Sequence, residues 1–140
     1  MTTSAGNAVT ICPCCSGDDS GKTYARCCGP AHSGKRPAAT AKALMRSRYS
    51  AFALNDEAYL LATHHPSSRP TPAELRAGMT GCVWQGLTIE RCKGGTAGEP
   101  FGEVTFRARH TENGKPRELE ERSQFVFENG RWFYLTGHNF

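Results

Sequence analysis

The sequence predicts an α+β fold in which helices come first, an antiparallel sheet follows, and a small cysteine-rich segment precedes both. Three observations support this order. Five of the seven cysteines fall between Cys12 and Cys28. Apolar residues from Ala41 to Ala53 recur at spacings of three and four, which is typical of a helix. After Gly81 apolar and polar residues alternate, which is typical of strands.

Local signals at the helix ends predict three helices in the body of the chain. The first begins after Thr40, whose side chain can cap it. A shorter helix over 57–63 ends before Pro66, because the residue before a proline is pushed out of the helical region. Thr71 and Glu74 form a capping-box pattern with a proline between them, so a third short helix is predicted to begin there.

Four strands are predicted from the alternating segments, and two asparagine–glycine pairs predict tight turns between strands. The predicted strands cover residues 83–90, 103–109, 124–128 and 132–136. The turns are expected at Asn113-Gly114 and Asn129-Gly130. The glycine-rich segment 94–98 lies between two strands rather than between a strand and a helix, so it does not predict a phosphate-binding loop.

The cysteine-rich segment predicts a metal site. Two close cysteines within residues 12–15, a short loop, and the adjacent pair Cys27 and Cys28 supply the thiolates that tetrahedral zinc needs. Iron also accepts four thiolates. A segment this short buries little apolar surface, so metal binding would supply its folding free energy. Free or redox-active cysteines are the alternative, and disulfides are less expected because the chain is predicted to be cytoplasmic.

The cysteine pattern resembles a known motif. The letters CPC, followed by SGKTYARCCG, are similar to the SEC-C motif, a metal-binding knuckle also found at the C-terminus of the SecA translocation ATPase. The resemblance implies four ligands: Cys12, Cys14, Cys27 and Cys28. The chain departs from the motif because Cys15 replaces a glycine and the loop, around residues 15–19, is four residues longer. Cys15 is a spare ligand or a free thiol, and His32 is either a substitute ligand or an exposed side chain.

The body resembles the YchJ family over several collinear blocks. These blocks read LMRSRYSAF, YL, THHP, WQGL, ERSQF and GRWFY. The resemblance implies a nuclear transport factor 2-like domain, in which a curved antiparallel sheet forms a cone packed with helices. Together the two resemblances predict a SEC-C-like zinc knuckle at 1–35 and a nuclear transport factor 2-like domain at 36–140.

A cone of this kind can enclose a pocket between its helices and its sheet. The candidate pocket residues are Arg48, Tyr49, His65, Trp84, Glu121 and Tyr134. Glu121 and His65 could act as base and acid. A buried ion pair between an arginine and Glu121, with Trp84 in the core, explains the same residues without catalysis. No spacing pairs a nucleophile with a base, so no catalytic residue is predicted and an enzyme is less expected than a binding protein.

The predicted function is that of a zinc-binding adaptor which contacts a protein or the ribosome through its knuckle. The net charge of +4 permits nucleic-acid binding, but Asp18 and Asp19 weaken that interpretation. The alternative is a small-molecule-binding protein or enzyme that uses the pocket. No signal peptide or membrane span is indicated, so a cytoplasmic protein is expected. Cys82 and Cys92 are predicted to be small buried residues.

Overall fold

The computed structural model describes residues 11–15 and 22–139, and the inserted loop discussed above lies largely outside them. The N-terminal part contains two 3₁₀ turns, Pro13–Cys15 and Tyr24–Arg26. Helices then follow in the order α1 (Gly29–His32), α2 (Ala41–Ala53), α3 (Glu57–Ala62) and α4 (Pro72–Met79). The predicted body helices are therefore confirmed. None of the helices that the structure describes is long and apolar enough to cross a membrane.

The sheet is a four-stranded antiparallel meander with the strands in sequence order. Its strands are β1 (Cys82–Gly94), β2 (Phe101–Glu112), β3 (Lys115–Glu128) and β4 (Arg131–Asn139). The strands are longer than the sequence predicts, because pairing continues up to the turns through polar residues that show no alternation. Register shifts interrupt the β1–β2 ladder twice and the β3–β4 ladder once. Such bulges bend strands, and the sheet is accordingly curved.

The two asparagine–glycine turns form as predicted. Asn113 and Asn129 both adopt a φ of 53°, and the glycines that follow them have φ of 84° and 82°. Positive φ at both central residues is the requirement of a two-residue turn that matches the twist of a hairpin. These turns fix the register of β2 with β3 and of β3 with β4, and so decide which side chains face the helices.

Side-chain caps fix where the helices begin. The Thr40 hydroxyl accepts from the Ala43 amide at 3.0 Å, as expected. Thr71 and Glu74 form both bonds of the capping box, also as expected. Asp56 caps α3 by accepting from the Tyr59 amide at 3.2 Å.

Helix α2 packs on one face of the sheet, and the core lies between them. The inward residues of β2 alternate, with Val104, Phe106, Ala108 and His110 buried. The same apolar cluster contains Leu44 and Tyr49 from α2, Phe125 and Trp132 from the sheet, and Cys12, Cys14, Cys15 and Cys28. The cysteine segment therefore shares the core of the body.

The prediction that Cys82 and Cys92 are buried was wrong. Cys82 is only partly buried and Cys92 is exposed. Both lie on β1, which is an edge strand of the sheet. Residues 90–94 of β1 are all exposed. The alternation of apolar residues identifies a strand, but it does not reveal how far the helices cover it.

Candidate functional site

Four cysteine sulfurs lie together beside α2. The Sγ atoms of Cys12, Cys14, Cys27 and Cys28 all lie within 4.8 Å of one another. Cys14 Sγ is 3.4 Å from Cys27 Sγ and 3.6 Å from Cys28 Sγ, and the last two are 3.9 Å apart. Tetrahedral thiolates with metal–sulfur bonds of ~2.3 Å lie ~3.8 Å apart. The four residues implied by the SEC-C resemblance therefore have the spacing needed to hold one metal ion.

Short backbone hydrogen bonds bring the two cysteine pairs together. Ile11 pairs with Thr23 in an isolated antiparallel bridge, and the Cys12 amide donates to the Lys22 carbonyl at 2.9 Å. The 3₁₀ turn at Pro13–Cys15 then turns the chain so that Cys12 and Cys14 face the same point. The second 3₁₀ turn, Tyr24–Arg26, is followed directly by Cys27, whose amide donates to the Tyr24 carbonyl at 3.1 Å. Each pair thus projects from its own turn.

Two residues of α2 contact the cysteine cluster, and the sequence analysis did not identify their role. The Ser50 hydroxyl accepts from the Cys14 amide at 3.1 Å and forms a second hydrogen bond with Cys12 Sγ, 3.3 Å away. Arg46 Nη2 donates to the Cys14 carbonyl at 3.0 Å and to Cys15 Sγ at 3.7 Å. Residues four apart share a helix face, so the spacing of 46 and 50 was the available signal.

Cys15 lies beside the cluster rather than in it. Its Sγ is 3.9 Å from Cys14 Sγ, yet it is not one of the four mutually close sulfurs. The side chain is buried and is contacted by Arg46. Among the two predicted roles, a fifth thiol that contacts Arg46 fits this position better than a ligand.

Without a bound cation the clustered thiols cannot all ionise. Hydrogen bonds with Cys12 and Cys28 raise the pKa of Cys14, and burial raises the pKa of Cys27. The pKa of Cys12 is lowered because Cys14 and Cys28 donate to its sulfur. These directions favour a single thiolate, at Cys12. A divalent cation would replace those protons and let all four sulfurs ionise.

His32 is neither an exposed side chain nor a member of the four-sulfur group. Its side chain is only 5% exposed. Nε2 lies 2.8 Å from the Ser47 carbonyl and Nδ1 lies 2.6 Å from the Tyr24 hydroxyl. The expectation of an exposed histidine was wrong, because the ring packs between Tyr24 and Tyr59. His32 joins the cysteine segment to α2.

A second site is a cavity of about 230 Å³ between α2 and the sheet. Five of the six predicted pocket residues line it: Arg48, Tyr49, Trp84, Glu121 and Tyr134. His65 does not, and this corrects the prediction. Its Nε2 bonds instead to Glu128 Oε1 at 2.9 Å. Consecutive residues of an extended segment point in opposite directions, so His64, bridged to Tyr134, faces the cavity.

The cavity holds one buried positive charge and one carboxylate that do not pair with each other. Within the described part of the chain, no carboxylate lies within 4.0 Å of Arg48, so the predicted ion pair with Glu121 is not formed. Burial lowers the pKa of Arg48 to about 10, which leaves the guanidinium charged at neutral pH. Glu121 Oε2 accepts from Ser123 at 2.6 Å and from the Tyr134 hydroxyl at 3.3 Å.

We expect His64 to make the protein less stable in mild acid. Burial, and then the charge of Arg48, lower the pKa of His64 from 6.5 to about 4. Between these values the unfolded chain binds a proton that the folded chain does not, so stability falls as pH drops through this window. The loss at pH 4.5 is about 1–2 kcal/mol after allowance for solvent screening of a partly buried ring.

Urea unfolding at pH 7 and pH 4.5 measures this effect. His64→Gln should lose less stability than the wild type between the two pH values. His138→Gln is the control, because that histidine is exposed on β4 and lies outside the cavity, and the variant should keep the wild-type pH dependence. Equal pH dependence in His64→Gln and the wild type would contradict the role given to His64.

Comparison with known proteins places the chain among relatives of the same architecture. A family model described as "YchJ, middle NTF2-like domain" matches residues 40–137. A UPF0225 protein from Chromobacterium violaceum is 45% identical over 134 residues, which cover 93% of each chain. The solution structure of a SEC-C motif containing protein from Rhodopseudomonas palustris has a TM-score of 0.81 and 36% identity, covering 92% of this chain and 98% of the other. The crystal structure of a SEC-C motif containing protein from Psychrobacter arcticus also has a TM-score of 0.81, with 25% identity and coverage of 93% and 82%.

Proposed function

Since this chain belongs to the YchJ family, with its nuclear transport factor 2-like middle domain, we propose that it is a zinc-stabilised adaptor that contacts a protein or ribosomal partner. The observation that supports this most is a groove at the junction of the cysteine segment and α2. Five cationic side chains line it, and the metal ligands Cys27 and Cys28 form part of its wall. Zinc bound to these cysteines would stabilise the conformation of the groove.

Zinc is the metal that suits this ligand set best. Four cysteine sulfurs at tetrahedral spacing leave no open position for water or substrate, which is the arrangement of structural zinc sites. Iron accepts the same ligands, so the two metals have to be distinguished by measurement. Elemental analysis of the chain purified without added metal should find one zinc per chain. One iron, or no metal after expression in zinc-replete medium, would refute the zinc assignment.

The groove, which we call the junction groove, has a volume of about 470 Å³ and a positive lining. Its cations are Lys22, Arg26, Arg36, Lys42 and Arg46, and its described lining residues include no carboxylate. Lys22 and Arg26 belong to the segment between the two cysteine pairs, and Lys42 and Arg46 lie on α2. An acidic partner surface would be attracted here, with a faster association rate at low salt.

A pull-down with charge-reversed protein tests the adaptor role. Arg36→Glu combined with Lys42→Glu reverses two exposed charges of the junction groove and should abolish recovery of the wild-type partners. Lys93→Glu combined with Lys115→Glu changes the net charge equally on the sheet, away from the groove, and should leave recovery intact. Identical partner sets from both double variants would show that the groove is not the contact surface. Co-sedimentation of the same proteins with ribosomes distinguishes a ribosomal partner from a soluble one.

A further inference from the structure

The buried guanidinium of Arg48 lies in the cavity between α2 and the sheet and forms no ion pair with a described carboxylate. Arg48 is 5% exposed, and its Nη1 donates to the Leu60 carbonyl at 2.9 Å and to the Thr63 hydroxyl at 2.8 Å. A guanidinium has five N–H donors. In the part of the chain that the structure describes, no acceptor engages Nη2 or Nε. Arg48 lines the cavity, so an anion that enters the cavity could accept hydrogen bonds from these donors.

The rest of the cavity is mostly apolar and aromatic. The apolar lining includes Phe52, Trp84, Phe106 and Leu119. Phe52 and Tyr49 pack against the Trp84 ring, with centroids 6.0 and 5.8 Å away, which keeps its position fixed. A volume of about 230 Å³ accommodates a ring or a short branched chain with a few substituents. Such a cavity, with a few convergent polar groups, has the composition of a small-molecule site.

The carboxylate of Glu121 also restricts which ligands fit the cavity. Its Oε2 is held by Ser123 and by the Tyr134 hydroxyl, so the carboxylate has a fixed direction on the cavity wall. The guanidinium of Arg48 lies over the Tyr134 ring, 4.6 Å from the ring centroid. A carboxylate on the wall disfavours a second anion beside it and favours a hydrogen-bond donor.

We propose that this cavity binds a small monocarboxylate with an apolar body and a hydroxyl or amino donor. The carboxylate of the ligand pairs with the unused donors of Arg48, and its apolar body packs on Trp84 and Phe106. The donor of the ligand faces Glu121. This inference does not depend on the zinc site or on the junction groove, because no residue that lines the cavity also lines the groove or belongs to the four-cysteine group.

Three matched probes test the proposal on the intact, metal-loaded chain by calorimetric titration. 4-Hydroxyphenylacetate has the carboxylate, the ring and the donor, and should bind. 4-Hydroxyphenylacetamide lacks the charge and should bind about tenfold more weakly, since charge-assisted hydrogen bonds are about twice as strong as neutral ones. Phenylacetate lacks the donor and should bind several-fold more weakly. Equal affinity for the acid and its amide, or no binding of any probe at 10 mM (about the upper limit of such a titration), would overturn the proposal.

Two variants measure how much Arg48 and Glu121 each contribute to the binding of these probes. Arg48→Met should weaken 4-hydroxyphenylacetate binding at least about tenfold and the binding of the amide by less, so that the preference for the acid over the amide is lost. Glu121→Gln should reduce the preference for 4-hydroxyphenylacetate over phenylacetate without removing binding of either. Should Arg48→Met fail to fold, the wild-type comparison of acid and amide and the Glu121→Gln comparison still decide the matter. Unaltered selectivity in a folded variant would exclude the corresponding contact.

Discussion

Replacing Cys14 with serine is expected to remove the metal and to lower the melting temperature of the whole chain by roughly 10 °C. Cys14 Sγ lies 3.4 and 3.6 Å from two of the other three sulfurs, so it belongs to the group that would hold the metal. A serine hydroxyl does not supply the thiolate, and structural zinc contributes about 10–16 kcal/mol of binding free energy to small sites. Elemental analysis should find about one metal ion per wild-type chain and almost none in Cys14→Ser.

Two other cysteines provide the controls for this experiment. Cys92 is exposed on β1 and Cys92→Ser should behave as the wild type. Cys15 is buried beside the cluster but outside the four-sulfur group, so Cys15→Ser should keep the metal. Treating the wild type with a chelator should reproduce the melting temperature of Cys14→Ser. A stoichiometric metal in Cys14→Ser would contradict the ligand assignment, and its loss in Cys15→Ser would add a fifth residue to the site.

Local chemistry made much of the fold predictable. The helix start at Thr40, the capping box at Thr71 and the turns at Asn113 and Asn129 each depend on residues adjacent in sequence. Signals of this kind survive folding because the hydrogen bonds they describe form within a few residues. The strand lengths were less predictable. The first residues of Lys115–Glu128 are mostly polar and show no alternation, so only their pairing with the neighbouring strand identifies them as part of β3.

The sites were predictable by residue type but not by arrangement. Spacing and the motif resemblance identified the four cysteines, since the ligands of a small knuckle are close in sequence. The choice between His64 and His65 depends on how residues 63–65 pair with Tyr134, seventy positions along the chain. The contact of Ser50 with Cys12 likewise depends on where α2 lies against the cysteine segment. Such long-range geometry has no local signal.

The cysteine segment and the body share one apolar core. The sequence suggests a knuckle followed by a separate domain. The structure nevertheless packs Cys12, Cys14 and Cys28 in one apolar cluster with Leu44 and Trp132. Elements that share a core unfold together unless the contacts between them are weak. The stability of the sheet and the occupancy of the metal site should therefore depend on each other.

Trp132→Ala is the change that should reveal this coupling most clearly. The Trp132 side chain is 2% exposed and its Nε1 donates to the Ala39 carbonyl at 3.2 Å, just before α2. Truncating a buried tryptophan costs about 3–5 kcal/mol, a large part of the 5–15 kcal/mol typical of a domain. Trp132→Phe keeps most of the apolar ring but loses the hydrogen bond, and should cost less, about 1–2 kcal/mol.

Cobalt-substituted protein allows both parts of the molecule to be followed in one thermal melt. The cobalt–thiolate absorption reports the metal site, and far-ultraviolet circular dichroism reports the sheet. Because one core joins them, both signals should be lost at the same temperature in the wild type, and both transitions should move down together in Trp132→Ala. Persistence of the cobalt–thiolate absorption after the sheet has unfolded would instead show that the knuckle folds on its own. In that case Trp132→Ala would lower only the transition of the sheet, and the metal site would be an independent unit despite its contacts with Leu44 and Ser50.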